Sequence, residues 1–413
     1  MKIGIVTTWF ERGAAYVSRQ FMEALQSLGY DVFIYARGGE KFANDDDNWA
    51  LTNVTWNTFL YSPINTDIDK TQYQEWLKSN QIEAVIFNEQ HYWAPIIWTK
   101  QLNIPTIAYI DYYTNETVPL FEVYDQLWCN TKRHFSVFNW HRGAKYIPWG
   151  TNVELYGSAP VNPEYNKANN KRVFFHSAGM NPHRKGTDLL LKSLGSIDAD
   201  VLTKAQVVIH TQVDLIKSFP ELQPHIEHLI ANNILVIIHK TVSAPGLYYL
   251  GDIYVYPTRL EGIGLTIAEA MAAGLPVMIP DKQPMNEFVY ENYPYLVDIA
   301  AEGVRGDGYF WPEAEVSITM LSEKIASLIN LPEPDLTRLK HDCKAHAQSK
   351  LNFNKNISEL AQCIATLELQ VLNENLIAKI STTDKHNNHV FLYAKTLSRW
   401  LFACYKRYKK LSH

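Results

Sequence analysis

Short runs of β-branched and aromatic residues alternate with helical patterns along most of this 413-residue chain, and that alternation limits the folds open to it. The first run, Ile3–Trp9, is apolar on both faces. Val17, Phe21, Ala24, Leu25 and Leu28 then share one helical face, with Gly29 where a helix C-terminus favours glycine. Val32–Ala36, Ala84–Phe87, Thr106–Ile110 and Leu127–Cys129 continue the series. Runs with no polar alternation suit a parallel sheet covered on both faces. Between Gly150 and Lys171 periodicity disappears and Asn, Gly and Pro accumulate, as in a linker. The alternation then restarts: Val173–Phe175, a helix from about Thr187, Val207–His210, Ile234–Ile238, Ile253–Pro257, a helix over Leu265–Ala273, Val277–Ile279 and Tyr295–Ile299. The pattern predicts an α/β protein with two doubly wound halves facing a central cleft, plus C-terminal helices from Ser317. Open sheets of this kind bind ligands beyond the carboxyl ends of their strands, so two facing sheets predict a two-substrate site. The expected boundaries are 1–150, a linker at 151–171, 172–332, helices at 333–374 packing back on the domains, and a basic amphipathic tail at 375–413.

Charge narrows the partners. The chain is at −5, so no global basic field favours nucleic acid. Yet Lys385 to His413 holds seven Lys or Arg and no Asp or Glu, leaving the other 384 residues at −12. Projected as a helix, Val390–Leu411 gathers Lys395, Arg399, Lys406 and Lys410 on one side and Val390, Leu397, Leu401, Cys404 and Tyr408 on the other. This pattern predicts attachment of residues 385–413 to an anionic membrane surface; the competing expectation is a helix packed on the fold. The longest uncharged apolar runs are too short to span a bilayer. The N-terminus reads as a strand and not a signal peptide. The four cysteines, Cys129, Cys343, Cys363 and Cys404, stand far apart, which excludes a disulfide scaffold and fits a reducing compartment. The expected location is cytoplasmic, at most peripheral on the inner face of the cell membrane.

The densest chemical signal runs from Tyr256 to Val277. A strand ends near Pro257, a loop carries Glu261, Gly262, Ile263 and Gly264, and a helix begins near Leu265. Strand, glycine loop and helix N-terminus make an anion site, because free N–H groups and the helix dipole both favour phosphate. Two acids frame it, Glu261 before the helix and Glu269 inside it. Ala268, Ala270, Met271 and Ala272 surround Glu269, and a buried carboxylate needs hydrogen-bonding partners. Vicinal sugar hydroxyls are suitable ones.

The stretch Arg259–Val277 resembles the E-x7-E signature of the retaining group 1 glycosyltransferases, family 4, which have the GT-B fold of two Rossmann-like domains. Pro284-Met-Asn-Glu287 resembles the acidic position that follows in many members. Gly179-Met-Asn-Pro-His-Arg-Lys-Gly186 is similar to the family's Gly-Arg-x4-Lys-Gly, with Lys185 on the diphosphate-binding lysine and Met180 where the family has arginine. Arg184 is a candidate to supply that guanidinium. Ile147-Pro-Trp-Gly-Thr-Asn resembles the interdomain Pro-x-Gly-Val-Asp, and Gly13 with Ala14 and Ala15 resembles the glycine-rich loop before the first helix. Asp111 stands where the family often has a His near the sugar. His91 ends another N-terminal strand and is a second candidate contact, set against a structural role.

The resemblance implies a glycosyltransferase whose N-terminal half binds the acceptor and whose C-terminal half binds a nucleotide-sugar co-substrate, with no metal and no further cofactor. It implies that Lys185 and Arg184 stabilise the leaving diphosphate, with the N–H groups near Gly264 and Leu265, that Glu269 holds the ribose, and that Glu261 contacts the transferred sugar. The acceptor expected is a glycan or lipid-linked glycan of cell-surface polysaccharide or lipopolysaccharide synthesis. No Asp-x-Asp metal motif stands out; Asp45-Asp46-Asp47 reads as a solvated loop, and the histidines match no metal spacing. A nicotinamide oxidoreductase would need G-x-G-x-x-G after the first strand, and Met1–Gly13 lacks it. A non-catalytic sugar-binding subunit with a degenerate site is the alternative, favoured by Met180 and Asp111 and opposed by Glu261, Glu269 and Lys185.

Overall fold

The computed structural model describes residues 1–37, 43–57, 66, 68–111, 113–158, 163–168, 170–304 and 312–384. The basic segment 385–413, and with it the predicted helix Val390–Leu411, lies outside the described residues. The chain forms two compact units. One comprises Met1–Cys129, Val137–Lys145 and the residues from Glu359 onward; the other comprises Asn130–Ser136 and Tyr146–Ser358.

The first unit is built on a seven-stranded sheet: β1 (Lys2–Thr7), β2 (Asp31–Ala36), β3 (Val54–Trp56), β4 (Ala84–Asn88), β5 (Thr106–Tyr109), β6 (Gln126–Cys129) and β7 (Ala144–Tyr146). The order is β3-β2-β1-β4-β5-β6-β7, parallel from β3 through β6. Ile3, Ile5 and Val6 of β1 and all of β4 are buried, as the apolar runs require. The short strands β3 and β7 carry no apolar run and lie outside the predicted series. The helix Gly13–Ser27 buries Val17, Phe21, Ala24 and Leu25 on one face. It ends at Gly29, whose φ of +86° suits glycine. Residues 374–384 are helical and end on Asp384, whose buried carboxylate accepts the backbone N–H of Trp93 (3.1 Å) and of Ala94 (2.9 Å). Asp384 thereby caps the helix Ala94–Gln101, which Trp93 precedes with no capping side chain of its own.

The second unit carries a six-stranded, wholly parallel sheet: β8 (Arg172–Gly179), β9 (Ala205–Thr211), β10 (Leu235–His239), β11 (Ile253–Val255), β12 (Val277–Pro280) and β13 (Leu296–Val297), in the order β10-β9-β8-β11-β12-β13. The expected strand Tyr295–Ile299 is divided. β13 ends at Val297, and a separate antiparallel hairpin follows from β14 (Ile299–Val304) and β15 (Pro312–Val316). The segment read as a linker holds a short helix, Val153–Gly157, opened by the Asn152 side chain. Asp252, mostly buried, accepts from Lys340 at 2.6 Å and from the Val173 N–H at 3.0 Å, tying the long helix Glu333–Lys350 to the amino-terminal ends of the central strands β8 and β11.

In both sheets the strand order reverses between the two innermost strands, β1/β4 and β8/β11. Loops leaving the carboxyl ends of such a pair diverge and open a crevice.

Candidate functional site

Both signature loops leave the switch point of the second unit. Residues 180–186 follow β8, residues 256–264 follow β11, and β8 pairs directly with β11. The loops are bound to each other. The Arg259 N–H and the Thr258 hydroxyl both donate to the Arg184 carbonyl, at 2.8 and 3.0 Å. The buried Arg259 guanidinium forks onto both oxygens of Asp188 (2.7 and 2.9 Å) and reaches the His183 carbonyl at 2.6 Å, while Nε meets Glu315 at 2.8 Å. A bidentate pair of this kind fixes position as well as charge. Gly186 has φ +71°, and a Cβ there would lie 1.9 Å from the Pro257 carbonyl oxygen, so the loops close only over glycine. Gly264, with φ +83°, opens the helix Leu265–Ala272.

Lys185 and Glu261 meet in this crevice. Lys185 Nζ donates to Glu261 Oε1 at 2.8 Å, touches the Tyr256 hydroxyl, and lies 4.9 Å from the centre of the Tyr256 ring. The same Oε1 accepts from the Tyr256 hydroxyl (2.7 Å) and shares the single proton of the Thr258 hydroxyl (2.8 Å) with the Arg184 carbonyl, and Arg184 Nη1 stands 3.3 Å away while donating to the Leu260 carbonyl. Oε2 takes none of these bonds. Burial alone would raise the Glu261 pKa, but Arg184 and Lys185 outweigh it and hold the carboxyl at about 2. Burial, with Arg184 beside it, lowers Lys185 to about 8 against the pull of Glu261. At neutral pH the crevice therefore holds one carboxylate and two cations.

Glu269, half-buried on the helix Leu265–Ala272, differs from expectation in its partners. The chain itself supplies two phenols. The Tyr248 hydroxyl donates to Oε2 at 2.6 Å and Tyr156 bonds the same carboxylate. Burial lifts its pKa, with Tyr248, Tyr156 and Lys185 opposing. Tyr248 is held edge-on between Tyr156 (6.0 Å) and Phe175 (5.6 Å). Neither phenol stood out in the sequence, because 21 residues separate Tyr248 from Glu269 with no periodic relation. Tyr256, Thr258 and Arg259 were within reach, since they precede Glu261 in the motif itself.

His176 is structural. It is fully buried between the Val255 carbonyl and the Thr187 hydroxyl, both at 2.8 Å, and burial depresses it to about 4. Met180 is 72% exposed. Glu287 accepts the N–H groups of Lys132 (2.6 Å) and Arg133 (3.0 Å) at the start of the helix Lys132–Phe138, and burial raises its pKa. Among the described residues no three His, Cys, Asp or Glu side chains come together as a metal site would require.

The remaining candidates belong to the first unit. Gly13 is not in a loop before the first helix; it is that helix's first residue. His91 follows β4, its N–H on the Thr66 hydroxyl at 2.8 Å; burial foremost, with Arg37 adding and Glu89 opposing, lowers it to about 4. Asp111 follows β5 and is half-buried. At the β1/β4 switch point the structure adds a buried polar network that the sequence did not disclose. Asn88 donates to the Ala14 carbonyl and Ser18, and Arg37 donates to the Glu89 carbonyl and Gln90.

Comparison with known proteins places this geometry. Residues 160–350 match the family model of glycosyl transferases group 1. The lipopolysaccharide core biosynthesis mannosyltransferase LpsB of Rhizobium meliloti (strain 1021) is 27% identical over 168 residues, 36% of this chain and 45% of LpsB, so the chain spans about half the length of this curated relative. Among solved structures, HepE of Anabaena in complex with UDP and glucose superposes with a TM-score of 0.65 at 15% identity, over 89% of this chain and 100% of HepE. A glycosyltransferase from Rickettsia africae ESF-5 gives 0.67 at 15% identity, over 87% of this chain and 97% of that one. The fold is GT-B.

Proposed function

We propose that this chain, whose residues 160–350 match the family model of glycosyl transferases group 1, moves a sugar from a nucleotide-sugar to a glycan or lipid-linked acceptor with retention of anomeric configuration and without a metal. The observation that carries the reading is the buried Lys185–Glu261–Arg184 cluster at the β8/β11 switch point. Transfer breaks the bond between the anomeric carbon and the diphosphate oxygen and forms one to an acceptor hydroxyl on the same face. The acceptor proton passes to the departing phosphate. Lys185 and Arg184 stabilise the charge that develops on that phosphate, with the N–H groups around Gly262, Ile263, Gly264 and Leu265. Glu261 contacts the transferred sugar through Oε2, and its other oxygen holds Lys185 in place. Glu269, fixed by Tyr248 and Tyr156, accepts the ribose hydroxyls. His91 and Asp111 follow strands of the first unit's sheet, where the acceptor is expected, and Gly13, which opens the helix Gly13–Ser27, is a candidate contact with the donor.

The mannosyltransferase relative supports a role in lipopolysaccharide or other cell-surface glycan assembly. No helix of the described residues is long and apolar enough to cross a membrane. Residues 385–413 supply seven cations for an anionic lipid surface, each worth about 1 kcal/mol. A cytoplasmic enzyme held on the inner leaflet accommodates these features. A non-catalytic sugar-binding subunit is the second reading, because exposed Met180 stands where the resemblance has arginine.

The test is a thermal-shift series with UDP, GDP, ADP and their sugars, followed by donor hydrolysis. A nucleotide at about 100 times its Kd adds about 2.7 kcal/mol of stability. One nucleotide class should stabilise the chain, and wild type but not Lys185→Ala should release free sugar from it. Binding without release in wild type selects the second reading; no binding by any nucleotide refutes both.

A further inference from the structure

At the amino-terminal edge of the first unit's sheet lies a cavity of about 420 Å³. Lys100, in the last turn of the helix Ala94–Gln101, and the loop just before β6 form its floor. This is the end of the sheet opposite to His91 and Asp111, so the cavity is separate from the carboxyl-end crevice where doubly wound sheets carry their chemistry. Its size falls within the range of small-molecule sites, about 300–1,000 Å³.

The floor is rigid and internally neutral. Lys100 and Asp125, both almost fully buried, pair at 2.8 Å, and Lys100 also donates to the Val123 carbonyl. Asp125 accepts the Thr106 N–H and hydroxyl on one oxygen and the Gln370 N–H on the other. The Gln370 amide nitrogen donates to the Asp125 carbonyl at 2.9 Å. Gln370 is thus pinned at both ends, with its Oε1 spare.

The mouth is different. Trp140 is 47% exposed, a large apolar surface left to water. Its indole stands edge-on to His141 (5.6 Å, 73°), whose ring is fixed by the Tyr124 carbonyl at 3.2 Å and the Gly143 N–H at 3.0 Å. Arg142 and Glu122, both exposed, supply one cation and one anion beside it. An exposed aromatic plate flanked by a guanidinium, a carboxylate and an amide oxygen suits a neutral polyol. The apolar face of a sugar ring packs on the indole, its hydroxyls donate to Glu122 and Gln370, and they accept from Arg142. An anionic ligand would meet Glu122 and gain no net positive field.

We propose that this cavity is a second saccharide site, holding neutral sugar units of a glycan chain away from the site of transfer. The class of ligand rests on the glycan-acceptor reading above; the site itself rests on the geometry of the first unit. The experiment uses the full chain and saturation-transfer NMR with maltohexaose, mannohexaose and cellohexaose, with glucose and mannose as monomers. Wild type should bind at least one hexasaccharide more tightly than either monomer, which identifies a chain and not a free sugar as the ligand. Trp140→Ala and Arg142→Ala should each weaken that binding about tenfold or more, while donor hydrolysis stays at the wild-type rate. Three results overturn the proposal: no hexasaccharide binding by wild type, binding that both variants retain, or a Trp140→Ala effect confined to concentration-dependent self-association, which would mean that a second copy covers this face. Nucleotide thermal shifts on the same preparation keep the two readings apart, because the transfer reading can fail there while saccharide binding at Trp140 stands, and the reverse.

Discussion

Replacing Glu261 by Gln removes the carboxylate that pairs with Lys185 and Arg184 while keeping the side chain's size. In the folded chain Glu261 is held at about 2 against an ordinary 4.5. At about 1.36 kcal/mol per tenfold change in proton affinity, that preference for the ionised form is worth about 3 kcal/mol. The side chains of Glu261, Lys185 and Arg184 are only 7, 14 and 29% exposed, so solvent screens little of it. Because the folded pKa is depressed, the contribution is fully present above pH 4.5 and is lost as pH falls toward 2. For a unit of this size about 3 kcal/mol lowers the transition by about 6–12 °C. Differential scanning calorimetry on the full chain should show one transition, that of the second unit, lowered by this amount in E261Q between pH 5 and 8. The gap should narrow below pH 4.5. A Tm within about 2 °C of wild type, or a gap that stays constant down to pH 3, would refute the cluster as a source of stability.

Lys185→Ala should reduce donor turnover about 10²–10³-fold with the fold intact. In wild type, activity should fall as pH rises through about 8, where Lys185 loses its proton, and Lys185→Arg should flatten that limb; a pH-independent rate from 6 to 9 would exclude the lysine from the chemistry. Tyr248→Phe removes the 2.6 Å bond to Glu269 and should weaken nucleotide binding by about 1.5–3 kcal/mol, read by calorimetry, with an unchanged Kd separating Glu269 from the nucleotide. Gly186→Ala should yield little soluble protein or a strongly lowered Tm, since its Cβ would collide with the Pro257 carbonyl.

The sheets were legible because burial on both faces leaves continuous apolar runs, and β8, β9 and β12 stand where those runs predicted. β3 and β7 were not, since three half-buried residues give no such run. Hairpin β14–β15 was hidden for a related reason: Glu302, Gly303, Glu313 and Glu315 break the apolar signal, although β15 buries Ala314 and Val316. In the site, Glu261, Gly264 and Glu269 were readable because they share one strand–loop–helix unit. The partners that fix Glu269 come from elsewhere, Tyr248 from a short 3-10 helix and Tyr156 from the supposed linker, and Arg259 is fixed by Asp188 and Glu315 from elements brought near only by folding. Spacing along the chain encodes contacts within an element and carries little about contacts between elements.

Asp384 has a mechanical consequence. Its carboxylate is the last described side chain before the basic segment, and it is clamped on two backbone N–H groups at the head of the helix Ala94–Gln101. The described chain therefore ends on a fixed root at the point where residues 385–413 begin. Any load on them is delivered to that helix end, directly after the β4 loop that carries His91. A shortening of the chain that stops after Asp384 keeps this anchor. One that stops before it removes the anchor as well as the charge, and leaves the amino end of a buried helix without its cap.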